Sequence, residues 1–231
     1  MFYGADDGNR LVDENNYPDS IKKFLENEKS ILINNLSQHD IIIEVGCMEA
    51  RNMEHAINNK KKYIGIDIVP EYIEAANRIV RKRELTSTCE FLCIDAEKLD
   101  KILEASNLLK RCKNPLFFFP FNSFGNMNNF ANVIKSISKI KNADFIIFTY
   151  QTDEKSTNER FRYYNNCNYD NLKVQYEENG VRFVADNGLN SMAYNEAFLQ
   201  DYIKKCGINF RIKKFADIGI AYFISTRERE R

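Results

Sequence analysis

Apolar positions along the chain switch repeatedly between helical and strand spacing, and the order of the switches predicts the architecture. After a polar, irregular stretch over 1–17, Pro18-Asp19-Ser20 opens a helical pattern carried by Ile21, Phe24, Leu25, Ile31, Leu32 and Leu36. The run Ile41-Ile42-Ile43-Glu44-Val45 is too short for a helix and apolar enough for a strand buried on both faces. A helix over 53–58, a strand over 63–67 and a helix over 70–83 continue the series. In the last of these Tyr72, Ile73, Ala76, Ile79 and Val80 share one side. Pro70 sets its first turn, and Arg81-Lys82-Arg83 closes the end where the helix dipole favours cations. Strands are expected again over 90–95, 116–119 and 145–150, separated by helices over 98–110 and 129–140. Such alternation requires right-handed crossovers and a sheet covered on both faces, so the expected fold is α/β with a doubly wound, mostly parallel sheet.

The alternation breaks after Tyr150. Segments over 173–176 and 181–184 flank Asn179-Gly180, a strong β-hairpin signal. A helix over 196–205, ended by Gly207, and strands over 210–215 and 220–225 then complete a seven-stranded sheet whose C-terminal strand pair is antiparallel. No linker divides the chain, so 1–231 reads as one domain. Its parts are an N-terminal helical cap over 1–37, a core over 38–150, an inserted β-hairpin lid over 151–194, and a terminal helix with its strand pair over 195–231. Phe161, Tyr163, Tyr164, Tyr169 and Tyr176 of the insertion, with Tyr3 and Tyr17, are expected to close over the carboxyl edge of the sheet.

Composition narrows the function classes. Thirty-three basic residues cancel 33 acidic ones, which removes the bulk attraction that nucleic acid or an anionic membrane rewards. Lys60-Lys61-Lys62 and the alternating charges over 227–231 read as solvated surface. No run approaches a membrane span and the first residues lack a signal-peptide pattern, so a cytoplasmic protein is expected. Six scattered cysteines form no Cys-x-x-Cys pair, and no metal site is expected. With His39 and His55 the only histidines, conventional Ser-His or Cys-His chemistry is poorly supported.

Parallel sheets bind ligands at the carboxyl ends of their strands. Those ends are Glu44-Val45-Gly46-Cys47-Met48-Glu49-Ala50, Asp67, Asp95-Ala96 and Pro120-Phe121-Asn122-Ser123-Phe124. Asp67 follows Glu44 by 23 positions and Asp95 follows Asp67 by 28. The first two motifs alone also suit a nicotinamide enzyme. The three acids together, with the terminal antiparallel pair, resemble the class I S-adenosylmethionine-dependent methyltransferases over about 38–150. Glu44-Val45-Gly46 matches that family's first motif, while Met48 and Ala50 stand where it has its second and third glycines.

The resemblance implies S-adenosylmethionine as cofactor. It would be held by Glu44, Gly46, Cys47 through its backbone N–H, Asp67 on the ribose, Ile68, Asp95 and Ala96 on the adenine, and Phe121. The segment after the fourth strand lacks the Asn-Pro-Pro-Tyr type motif of enzymes that methylate bases or protein glutamine. Its Asn122-Ser123-Phe124 is similar to the segment of glycine and sarcosine N-methyltransferases, which implies that Asn122 orients a small-molecule acceptor, preferably an amine. Phe124, Tyr150, Tyr163 and Tyr164 are expected to shape its pocket. A catalytically inactive binding subunit, suggested by Met48 and Ala50, and an RNA or protein methyltransferase are the alternatives. Acceptor and oligomeric state are not fixed by the sequence.

Overall fold

A computed structural model describes residues 8–48 and 50–227. Tyr3, Glu49 and the charged tail over 228–231 lie outside them. The principal sheet has seven strands: β1 (Ile41–Val45), β2 (Lys62–Asp67), β3 (Cys89–Cys93), β4 (Pro115–Phe119), β5 (Asp144–Tyr150), β9 (Asn209–Phe215) and β10 (Gly219–Ser225). Their spatial order is β3-β2-β1-β4-β5-β10-β9. The first five are mutually parallel, and β10 pairs antiparallel with both β5 and β9. The strand order reverses between β1 and β4, which opens a crevice at their carboxyl ends.

Alternation along β1 assigns the two faces. Ile41, Ile43 and Val45 join an apolar layer with Val133, Ile134 and Ile137 of α5 (Phe130–Lys139) and Leu199 and Ile203 of α7 (Glu196–Lys205). Ile42 faces the opposite layer, with Ile21, Phe24 and Leu32 of α1 (Asp19–Asn35), Met53 and Ala56 of α2 (Met53–Asn58), and Ile73, Ala76 and Val80 of α3 (Pro70–Lys82). Glu44 shares the parity of Ile42, so this carboxylate is directed into an apolar layer.

Two expectations are corrected. The helix over 98–110 is instead a 3₁₀ segment Ala96–Lys101, one α-helical turn α4 (Ile102–Ala105) and a second 3₁₀ turn Leu109–Arg111. Side chains from other elements bind this backbone and compete with a continuous helical ladder. Ser136 Oγ accepts from the Asp100 N–H at 2.6 Å, and Glu90 accepts from the Leu108 N–H at 3.1 Å and the Ser106 hydroxyl at 2.9 Å.

The insertion is also more than a hairpin. It begins with helix α6 (Glu154–Asn166), whose N-cap Asp153 accepts from the Ser156 N–H at 2.8 Å. A second sheet, in the order β6-β7-β8, follows from Lys173–Glu177, Gly180–Val184 and Asn190–Tyr194. The buried side of α6 is Ser156, Thr157, Arg160, Tyr163 and Tyr164, without one aliphatic residue, so no apolar period announces it.

Candidate active site

A cavity of about 540 Å³ opens at the carboxyl ends of the parallel strands. It is walled by the turns after β1, β2, β3 and β4, by Tyr150 at the end of β5, by Tyr163 and Tyr164 of α6, and by the segment around Leu11. Hydrogen bonds fasten the last two together. The Tyr163 hydroxyl donates to the Leu11 carbonyl at 2.5 Å, and Arg10 Nη1 donates to the Asn168 carbonyl at 2.9 Å.

The turn after β1 has left-handed backbone at Gly46 (φ 84°), Met48 (φ 46°) and Ala50 (φ 68°). The second and third glycine positions therefore keep a glycine-type conformation with side chains on them, which L-residues adopt at a cost of about 1 kcal/mol each. Gly46 is required on two counts. Its φ is positive, and a Cβ would stand 2.8 Å from Ser123 Cβ. Ser123 in turn bonds the Val45 carbonyl at 2.8 Å, locking the β4 turn to the β1 turn.

The three acids all line this cavity but differ in state. Glu44 is buried, accepting from Asn52 Nδ2 at 2.6 Å and from the Tyr63 hydroxyl. Burial raises its carboxyl to about 7, against the lowering effect of those two donors. Asp67 accepts from the Met48 N–H at 2.9 Å and the Val69 N–H at 3.0 Å, one on each oxygen, and burial raises its carboxyl too. Each oxygen keeps further acceptor capacity, which a vicinal diol can use. Asp95 caps the following turn through the Glu97 N–H at 2.9 Å, and Ile68 and Ala96 complete that wall.

Three of the expected site residues are placed differently from the others, although Cys47 still lines the cavity. The Cys47 N–H donates to the Ile66 carbonyl at 3.0 Å, so it is spent inside the protein rather than offered to a ligand. Its thiol is buried and pushed well above the usual range by burial, which makes it inert filler.

Asn122 is 1% exposed and does not line the cavity. Its Nδ2 donates to Ser191 Oγ and to the Met192 carbonyl, both at 3.1 Å, and its Oδ1 accepts from Thr149 Oγ1 at 2.5 Å. The amide thus staples the β4 turn to β5 and β8, with no freedom to orient an acceptor. Phe124 is likewise absent from the lining, being packed edge-on against Phe119 at 5.9 Å and Tyr194 at 5.7 Å. Phe121, Tyr150, Tyr163 and Tyr164 do line the cavity.

Sequence reasoning passed over Arg51, Ser123 and Asn126 in the lining and Glu28 beside it. Glu28 of α1 is buried, accepts from the Phe121 N–H at 2.7 Å and stands 3.9 Å from Arg51. Burial raises it to about 7 despite that guanidinium. The available signal was an acid on the apolar side of α1, one turn before Ile31 and Leu32. No cluster able to hold a metal ion occurs among the described residues.

Sheet order, terminal antiparallel pair and a strand-end cavity lined by acids define the class: a class I S-adenosylmethionine-dependent methyltransferase. The methyltransferase domain family matches residues 36–196, and the chain belongs to that family. No curated protein matches the sequence significantly.

Solved structures share the fold at low identity. A methyltransferase from Clostridium acetobutylicum, described as S-adenosylmethionine-dependent, is 15% identical, with 91% of this chain and 93% of that one covered and a TM-score of 0.57. One from Aquifex aeolicus is 13% identical, covering 96% and 98%, with a TM-score of 0.59. The 1,6-didemethyltoxoflavin-N1-methyltransferase of Burkholderia thailandensis, solved with that substrate and S-adenosylhomocysteine, is 8% identical, covering 89% and 79%, with a TM-score of 0.56. No helix among the described residues is long and apolar enough to cross a membrane.

Proposed function

We propose that the protein methylates a small-molecule acceptor, preferably at an amine nitrogen. The observation that carries this reading is the enclosure of the aromatic end of the cavity. Phe121, Tyr150, Tyr163 and Tyr164 wall it, and the segment around Leu11 is tied to α6 beside it. A polymer needs an open groove, whereas this wall admits a compact ligand. The B. thailandensis neighbour, a 1,6-didemethyltoxoflavin-N1-methyltransferase, agrees with that. Zero net charge supports it over an RNA acceptor.

In this reading Asp67 receives the ribose hydroxyls, Asp95 with Ile68 and Ala96 receives the adenine, and the Gly46–Met48 turn lies along the amino-acid portion. Glu44, held by Tyr63 and Asn52, provides carboxyl oxygens there. When bound, S-adenosylmethionine supplies a methyl carbon activated by a sulfonium and leaves as a thioether. The residues of this chain contribute alignment, exclusion of water and aromatic faces against positive charge. An acceptor arriving as a neutral amine needs no strong base, which suits a cavity without histidine in its lining. The retained left-handed turn at Met48 and Ala50 supports an active enzyme over a binding subunit.

The test is incubation with methyl-labelled S-adenosylmethionine and a metabolite extract, followed by mass spectrometry. A small product heavier by one labelled methyl is expected, absent with Asp67→Ala. Label appearing only in RNA or protein would discard the small-acceptor reading.

A further inference from the structure

The aromatic end of the cavity is rich in donors. Arg51 lines it with its guanidinium 5.3 Å from the Phe121 ring centre and its side chain 37% exposed. Glu28 Oε1 stands 3.9 Å from Arg51, beyond hydrogen-bond distance, and the other Glu28 oxygen is engaged by the Phe121 N–H. The pair is therefore loose, and Glu28, raised to about 7 by burial, is a weak counter-charge near neutral pH.

Tyr150 stands against the same Phe121 ring, with the two ring centres 6.4 Å apart. It is 1% exposed, lines the cavity, and its hydroxyl has no hydrogen-bond partner among the described residues. Leaving such a group dry is unfavourable, and a ligand oxygen beside it removes the penalty. Against Tyr150 lies Arg160, 0% exposed, with its guanidinium 5.1 Å from the ring centre. Arg160 donates from Nη1 to the Val181 carbonyl at 3.0 Å and from Nη2 to the Ser191 carbonyl at 2.9 Å, while its buried Nε has no hydrogen-bond partner and it has no ion pair among the described residues. Its positive charge, held by carbonyl dipoles rather than by a carboxylate, lies against the Tyr150 ring.

We infer that Arg51 and the Tyr150 hydroxyl together receive a carboxylate carried by the methyl acceptor, with the Phe121 ring as the apolar floor between them. This rests on the proposed methyl transfer to a small molecule and names its acceptor class: an amine-bearing acid rather than a neutral or cationic metabolite. A guanidinium and a hydroxyl around one ring select an anion by supplying donors to both of its oxygens. The site lies away from the nucleoside end. The ionisable groups around Arg51 are Glu28, Tyr17, Glu44 and Tyr163, not Asp67 or Asp95. Tyr150 shares two of these neighbours, Glu28 and Tyr17.

The test loads the full chain with S-adenosylhomocysteine and titrates benzoate and benzamide by calorimetry, two planar probes that differ in charge. Benzoate is expected to bind at least about tenfold more tightly. Arg51→Met should abolish that preference and Arg51→Lys should restore part of it. Tyr150→Phe, which keeps the ring, should weaken benzoate by about threefold or more and leave S-adenosylhomocysteine affinity unchanged. Equal binding of the two probes, or no benzoate binding to the loaded protein at about 10 mM, overturns the inference. So does an Arg51→Met variant that loses S-adenosylhomocysteine affinity yet retains the benzoate preference, because the guanidinium then serves the cofactor's own carboxylate. Failure of the wild-type protein to bind S-adenosylhomocysteine is a separate result, which removes the methyl-transfer reading itself.

Discussion

The backbone N–H of Met48 donates to Asp67 Oδ2 at 2.9 Å, tying the turn after β1 to the acid that ends β2. The other oxygen of Asp67 accepts from the Val69 N–H at 3.0 Å. Two N–H donors fix the carboxylate plane before any ligand arrives, so the acid is preorganised rather than merely present. In Asp67→Asn an NH₂ group must face one of these two N–H groups. The substitution is expected to weaken S-adenosylhomocysteine binding by about tenfold or more and to lower stability by about 1–3 kcal/mol. Calorimetry and urea unfolding measure the two effects, and unchanged affinity would remove Asp67 from the ribose site.

The left-handed turn yields a prediction of opposite sign. Ala50 has φ 68° and a buried side chain, so Ala50→Gly relieves backbone strain while adding unfolded-state entropy. Strain prevails when the native φ is positive, and a gain of about 0.5–1 kcal/mol is expected. Urea unfolding checks it, and a loss of stability would show that the Ala50 methyl group matters more to packing than its backbone costs.

The parallel core was legible because β1, β2, β4 and β5 are apolar runs of five to seven residues with helices between them. The strand-end acids were legible because topology alone places them. What escaped was built from polar residues in buried positions. Helix α6 buries Ser156, Thr157 and Arg160, whose burial is made possible by partners distant in sequence such as Val181 and Ser191. Arg51 carries no signal of its own in the sequence, and only the fold brings Phe121 and Glu28 beside it. Asn122 is the converse case. Its position after β4 suggested chemistry, yet its amide is saturated by three protein partners, and no reading of a single strand end reveals that.

Asn122 accordingly predicts a stability phenotype. Its φ of 59° favours asparagine over alanine, and its removal leaves the Thr149 hydroxyl and the Met192 carbonyl without this partner in a buried setting. Asn122→Ala should cost about 3 kcal/mol of unfolding free energy, with S-adenosylhomocysteine affinity held within about twofold below the transition. A variant of wild-type stability that has lost turnover would return Asn122 to the chemistry.

Glu28 gives the molecule a pH signature whose sign follows from linkage. Its carboxyl is raised from 4.5 to about 7, chiefly by burial, with Arg51 and the Phe121 N–H opposing the rise. Below about pH 4.5 it is protonated in both folded and unfolded chains, and the favourable contribution of the buried neutral acid is fully present. Between about 4.5 and 7 the unfolded chain ionises first, so stability falls as pH rises, by on the order of 3 kcal/mol. Glu44, also at about 7, adds a slope of the same sign, so the wild-type curve alone does not separate the two. Glu28→Gln isolates the first, because its amide oxygen still accepts from the Phe121 N–H while nothing titrates. Unfolding free energies in urea at pH 5, 6, 7 and 8 and fixed ionic strength are the measurement. Wild type relative to Glu28→Gln should lose stability steadily up to about pH 7 and then level off, and a flat difference would mean that Glu28 stays ionised, in a tight pair with Arg51.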